Sequence, residues 1–184
     1  MIWLIRHGET EWSLSGAHTG HTDIPLTETG EEQASALGSR LGSKEFALVL
    51  TSPLQRARRT CDLAGFGAHA ATDPNLMEWN YGRYEGKTTT EIRAERPGWL
   101  IFGDGPVDGE TLEQVADRAR AVIDRCLAAG GDVALFSHGH LLRVLAACWL
   151  GLPPVTGRHF ALGTASISVL GWEHETRVIR TWNG

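Results

Sequence analysis

Short apolar runs of strand length alternate along this chain with longer segments of helical period. Trp3 to Ile5, Phe46 to Leu50 and Val133 to Phe136 read as buried strands. Between them, residues 26–42 place Ala34, Leu37 and Leu41 on one helix face behind an acidic first turn. Pro53 stands where a helix running to about Ala64 would begin. Residues 112–129 carry the clearest stripe: Leu112, Val115, Ala116, Ala119, Val122, Ile123 and Cys126, with acids and arginines opposite. Thr111 and Gln114 fit a capping box at its start, and Gly130-Gly131 ends it. Leu141 to Leu150 is apolar almost all round, which predicts a buried helix stopped by Gly151 and Pro153-Pro154. Residues 68–71 suggest a short third strand, 89–95 a short helix, and 166–170 with 177–182 a hairpin. Residues 7–26, 74–88 and 102–111 read as loops. Strand–helix alternation of this kind predicts a three-layer α/β/α sandwich with a mostly parallel central sheet. A chain of 184 residues predicts a single domain over 1–184.

Ligands of such sheets bind beyond the carboxyl ends of the strands. Two of the predicted strands end on a histidine followed by glycine. "MIWLIRHGET" delivers Arg6, His7 and Gly8, and "VALFSHGH" delivers His138 and Gly139. The same edge collects Arg56, just beyond Leu50. Two arginines supply permanently charged forks that match phosphate oxygens. One imidazole suits a nucleophile and the other a hydrogen-bond donor. Glycine after each histidine removes a side chain where a ligand must approach the backbone. A phosphate ester also needs its leaving oxygen protonated, which calls for a carboxylic acid. Glu78, in the polar and aromatic "NLMEWNYGRYEG", is the best candidate, although periodicity alone does not choose it over Glu85. Beside a dianionic phosphoryl group its pKa is expected to rise.

Bulk properties narrow the partners. A net charge of −5 and only one basic cluster, Arg56 to Arg59, argue against nucleic acid. No run reaches a membrane span, and the first apolar run is too short for a signal peptide. Cys61, Cys126 and Cys148 are odd in number, lack metal spacing and fall in helical segments. They read as small buried hydrophobes of a reducing compartment, so a cytoplasmic location is expected. His138 and His140 form H-x-H, which without further ligands is no metal site.

Four segments then resemble, in order, the motifs of the histidine phosphatase superfamily, phosphoglycerate mutase-like branch. They are "LIRHGETEW", "TSPLQRARRT", "LMEWNYGRYEG" and "LFSHGHLLR". The resemblance implies His7 as phosphorylated nucleophile, Glu78 as proton donor and His138 as second histidine. It implies Arg6, Arg56 and Ser13 as phosphate holders, with Thr19 and Gly20 in a stretch whose backbone approaches phosphate in relatives. For Thr19 and Gly20 a plain turn is the competing reading. Ser13 departs from the asparagine of many members. "HTGHTDIPLTETG" and "RHFALGTASISVLGWE" extend the likeness over nearly the whole chain. Ser13, with "TGHTDIPLT" and "SHGHLLR", is similar to the sugar-bisphosphatase branch that includes sedoheptulose-1,7-bisphosphatase-type members.

The resemblance implies metal-independent and cofactor-free hydrolysis of a small phosphorylated substrate through a phosphohistidine. A phosphoglycerate mutase is the first rival, and a non-catalytic phospholigand-binding module the second. Only 60 residues separate Glu78 from His138 (138 − 78), shorter than in cofactor-dependent mutases, which favours hydrolysis. Specificity is expected in loops 13–26, 79–88 and 99–110. His21 lies near the predicted mouth, and Trp79 and Tyr81 either wall the pocket or belong to the core.

Overall fold

The computed structural model describes residues 1–184. Its elements run β1 (Ile2–Arg6), α1 (Glu11–Ser15), α2 (Glu28–Leu41), β2 (Leu48–Thr51), α3 (Gln55–Leu63) and β3 (Ala70–Thr72). They continue with α4 (Thr89–Glu95), α5 (Ile101–Asp104), α6 (Leu112–Ala128), β4 (Val133–Ser137), α7 (Gly139–Trp149), β5 (Ile167–Glu173) and β6 (Thr176–Thr181). The six strands form one sheet in the order β3-β2-β4-β1-β5-β6. The first four are mutually parallel, whereas β5 runs antiparallel to β1 and β6 antiparallel to β5.

Successive strand residues face opposite sides of a sheet, and both sides are covered here. Leu4, Leu50, Val133, Leu135 and Leu170 pack with the apolar stripes of α6 and α7. Ile5, Val49, Ala134, Phe136, Ile167 and Val169 pack with Leu37 and Leu41 of α2 and Cys61 of α3. These are the three layers expected from the alternation. The central strand β4 is buried at every position, as a double-covered strand must be. The three cysteines lie in α3, α6 and α7 as free thiols, and burial pushes Cys61 and Cys126 up to about 12. No helix is long and apolar enough to cross a membrane.

Several boundaries differ from the sequence reading, for local reasons. The segment 7–26 contains α1, too short to show a period; Thr10 caps it through a box with Ser13. The segment 102–111 overlaps α5, which is equally short. Phe46 lies outside β2 because it packs edge-on against Trp3 and Phe66 instead. Helix α3 begins at Gln55 rather than Pro53, with Leu54 at its N-cap and no side-chain cap. Helix α7 begins at Gly139, two residues before the expected Leu141. Its unpaired first N–H groups therefore open directly beside His138.

Candidate active site

β1 and β4 lie side by side with Arg6 opposite Ser137, so the residues that follow leave the sheet together. The backbone N–H of His7 donates to the Ser137 carbonyl at 3.0 Å. The rings of His7 and His138 are 5.2 Å apart between centroids and tilted by 59°. Both residues are buried. Nδ1 of His7 lies 2.7 Å from the Gly8 carbonyl, which can only accept. Nδ1 therefore carries the proton and Nε2 keeps a free lone pair. Nε2 of His138 meets the Ser52 hydroxyl at 2.8 Å. That hydroxyl accepts from the Leu54 N–H and has its own proton to give to Nε2, the arrangement in which Nδ1 of the ring carries the other. Burial, reinforced by Arg56 and Arg6, holds His7 well below the ordinary imidazole value. Burial and the same two arginines, with His7, do the same for His138. Both rings are neutral near pH 7.

The arginines are fixed by backbone carbonyls rather than acids. Arg6 donates from Nη1 to Leu162. Arg56 donates from Nη1 to Thr22 at 3.0 Å, and from Nη2 to Gly20 at 2.7 Å and Thr19 at 3.2 Å. Each guanidinium leaves its Nε buried and unpartnered, and so does His138 its Nδ1. These three nitrogens are the buried side-chain polar atoms of the chain that lack a partner. An unsatisfied buried donor costs about 1–3 kcal/mol. All three belong to residues gathered about His7, where two permanent positive charges stand beside two neutral rings.

Glu78 reaches this place from the loop before α4. Its Oε1 accepts from the Leu141 N–H at 2.8 Å and the Trp79 N–H at 3.0 Å, and its Oε2 from the His140 N–H at 3.0 Å. The start of α7 thus grips the carboxylate, as a helix N-terminus grips an anion. The loop behind it is pinned by Arg118, which donates to the carbonyls of Asn75 and Met77 at 2.8 Å. Arg118 also pairs with Glu110, whose carboxylate accepts from the Asn80 N–H. A cavity of about 320 Å³ opens over His7, Arg6, Glu78 and Gly139.

The histidine phosphatase superfamily (branch 1) matches residues 2–184. The chain belongs to this superfamily. It is 43% identical over 180 residues to an acid phosphatase of Mycobacterium tuberculosis, covering 96% of this chain and 88% of the relative. It is 37% identical over 182 residues to the sedoheptulose 1,7-bisphosphatase of Saccharomyces cerevisiae, covering 81% of this chain and 67% of the relative. The solved structure of an open-reading-frame product of Mycobacterium tuberculosis matches with a TM-score of 0.94 at 41% identity, covering 99% of this chain and 96% of that one.

In this histidine phosphatase the expected site residues divide. Arg6, His7, Ser13, Thr19, Glu78 and Tyr81 line the cavity. His138 and Arg56 are wholly buried beside it. Gly20 and His21 do not reach the cavity: their N–H groups, with those of Thr22 and Tyr81, donate to the Glu85 carboxylate. Glu85 therefore organises the 19–22 turn that clamps Arg56, which separates its role from that of Glu78. Trp79 is core, its Nε1 bonded to the Glu110 carbonyl. Ser13 spends its hydroxyl on the Thr10 backbone, donating to the carbonyl and accepting from the N–H.

Of the two glycines, Gly8 departs from expectation and Gly139 agrees with it. A Cβ on Gly8 would run into the Gly30 carbonyl of α2, so that glycine serves helix packing rather than ligand approach. A Cβ on Gly139 would stand 3.5 Å from Arg6 Cζ and 3.7 Å from Glu78 Oε2, inside the site. Trp12, His18, Trp99, His140, Arg143 and Leu162 also wall the cavity; His18 and Trp99 fall in the loops expected to carry specificity, and the other four were not expected there. His140 and Arg143 were legible in principle, since both follow His138 on one helix face at the predicted sheet edge.

Proposed function

We propose that this histidine phosphatase is a phosphomonoesterase of a small phosphorylated metabolite, a sugar phosphate or bisphosphate, working through a phosphohistidine on His7. The observation that carries the reading is the free Nε2 of a neutral, buried His7 that lines the cavity, with Arg6, Arg56 and the His138 ring gathered about it. In the first half-reaction Nε2 attacks phosphorus in line. The N–P bond forms, the ester P–O bond breaks, and Glu78, having taken up the proton of the bound phosphate monoanion, gives it to the leaving oxygen. In the second, water attacks phosphorus and yields a proton to Glu78, the N–P bond breaks, and phosphate leaves. Arg6, Arg56 and His138 hold equatorial oxygens throughout, and such positioning dominates phosphoryl transfer.

The phosphatase names of the relatives support hydrolysis of a metabolite ester, and the cavity of about 320 Å³ suits a leaving group of that size. Residues 1–184 act as one catalytic unit on this reading. Three unpaired thiols support a reducing, cytoplasmic setting. The net charge of −5 supports a small anion rather than nucleic acid as partner. The test is phosphate release from sugar mono- and bisphosphates, with acid-labile phosphoenzyme trapped in parallel. His7→Ala should lose both signals, and wild-type turnover in that variant would overturn the scheme. Conversion of 3-phosphoglycerate without phosphate release would favour a mutase instead.

A further inference from the structure

His140 is not needed by that scheme, yet it is built into the cavity wall with unusual definition. Its Nδ1 lies 2.5 Å from the Tyr81 hydroxyl. Its ring is surrounded by Phe102, Tyr81, His18 and Trp79, at centroid distances of 5.3, 5.8, 6.1 and 6.3 Å. None of these neighbours bonds Nε2. Nor is Nε2 among the buried unpartnered nitrogens, so it is open to the cavity that His140 lines.

Burial, followed by the charge of Arg143, keeps the His140 imidazole neutral, and burial keeps the Tyr81 phenol protonated. The buried Tyr81 hydroxyl has no hydrogen-bond partner other than this nitrogen, so its proton is satisfied by donation to Nδ1, the arrangement in which the single ring proton sits on Nε2. Glu78 Oε2 accepts from the backbone N–H of His140 itself. The ring therefore projects into the cavity from the same residue that fixes the proton-donating carboxyl.

We propose that His140 is a specificity-determining residue. With its tautomer set by Tyr81, its Nε2–H donates to an oxygen of the leaving group close to the ester bond. This rests on the hydrolase reading above. The chemistry selected is an alkyl phosphate bearing a hydroxyl or ether oxygen beside the phosphorylated carbon, as polyol and sugar phosphates do. A leaving group with an ammonium at that place is disfavoured, because the site offers it a donor.

Four esters separate these cases: ethyl, 2-hydroxyethyl, 2-methoxyethyl and 2-aminoethyl phosphate. One net hydrogen bond should raise kcat/KM for the hydroxy and methoxy esters about 3- to 10-fold over ethyl phosphate, and not for the amino ester. His140→Leu should collapse that ratio. His140→Gln, whose amide nitrogen occupies the place of Nε2, should restore part of it. Nitrogen-15 NMR of the intact protein should place the His140 proton on Nε2, and Tyr81→Phe should release that preference. A proton on Nδ1, or ester ratios equal in wild type and His140→Leu, would overturn the inference. Absence of phosphate release from all four esters by the wild type would sink the hydrolase reading, and this inference with it.

Discussion

The Ser52 hydroxyl stands 2.8 Å from Nε2 of His138 and is the one side-chain partner of that buried ring. Without it, a buried imidazole loses its only partner and can carry its proton on either nitrogen. Ser52→Ala should lower kcat about 10-fold and cost about 1–3 kcal/mol of stability, the range for an unsatisfied buried group. Steady-state kinetics beside a urea titration will separate the two effects. Unchanged kcat in a folded Ser52→Ala protein would remove His138 Nδ1 from the phosphate-holding set.

Gly8 and Gly139 make opposite predictions although each follows a histidine. Gly8→Ala presses a methyl against the Gly30 carbonyl and should destabilise the fold by about 1–3 kcal/mol or more. Gly139→Ala meets only side-chain atoms at 3.5 Å and beyond, so the fold should hold. Its methyl enters the space between Arg6 and Glu78, and activity should fall sharply. Thermal midpoints and phosphatase rates on the same two proteins decide both points.

His7, His138 and His140 are all held well below the usual imidazole value of 6.5, chiefly by burial. Below that pH the unfolded chain binds protons that the folded chain refuses. Their contribution to stability is thus complete above about pH 6.5 and declines as pH falls toward the folded values. The thermal midpoint should drop on acidification through this window, and less so in His140→Gln. Activity should extend further to the acid side than an ordinary histidine nucleophile allows, because His7 stays neutral there. A kcat/KM profile from pH 4 to 8 tests this.

Glu85 acts through a turn. Its carboxylate gathers the N–H groups of Gly20, His21, Thr22 and Tyr81, while Thr19, Gly20 and Thr22 turn their carbonyls to Arg56. Glu85→Gln replaces an acceptor oxygen with a donor and loosens that clamp. Inhibition by inorganic phosphate should weaken about 10-fold, with a stability loss of about 1.5–3 kcal/mol for charge-assisted bonds. Phosphate inhibition at the wild-type level would show that Arg56 holds its place without the turn.

The layers and the parallel sheet were legible because they rest on period. Leu112 to Cys126 repeat every three or four residues, and Val133 to Phe136 form a continuous apolar run. The sheet edge holding His7 and His138 followed from the same alternation, since both come immediately after strands. Glu78 was separable from Glu85 only by resemblance; in the structure each is identified by the N–H groups it accepts, at α7 for one and at the 19–22 turn for the other. Those bonds span 62 to 65 residues of sequence and leave no periodic trace. The same holds for Gly8, whose need for a missing side chain comes from Gly30. Trp79 and Tyr81 are adjacent aromatics but one, with no sequence signal to say which faces the core.

The pairing of β1 with β4 also governs when the enzyme becomes an enzyme. Arg6 and Ser137 meet across 131 residues (137 − 6), a contact that no local structure can make and that carries a loop-closure cost. His7 acquires its partner ring and its two arginines only once the middle of the sheet has closed. A chain without that pairing carries the motifs but no assembled site, so regain of turnover on refolding reports closure of the central sheet rather than formation of its separate elements.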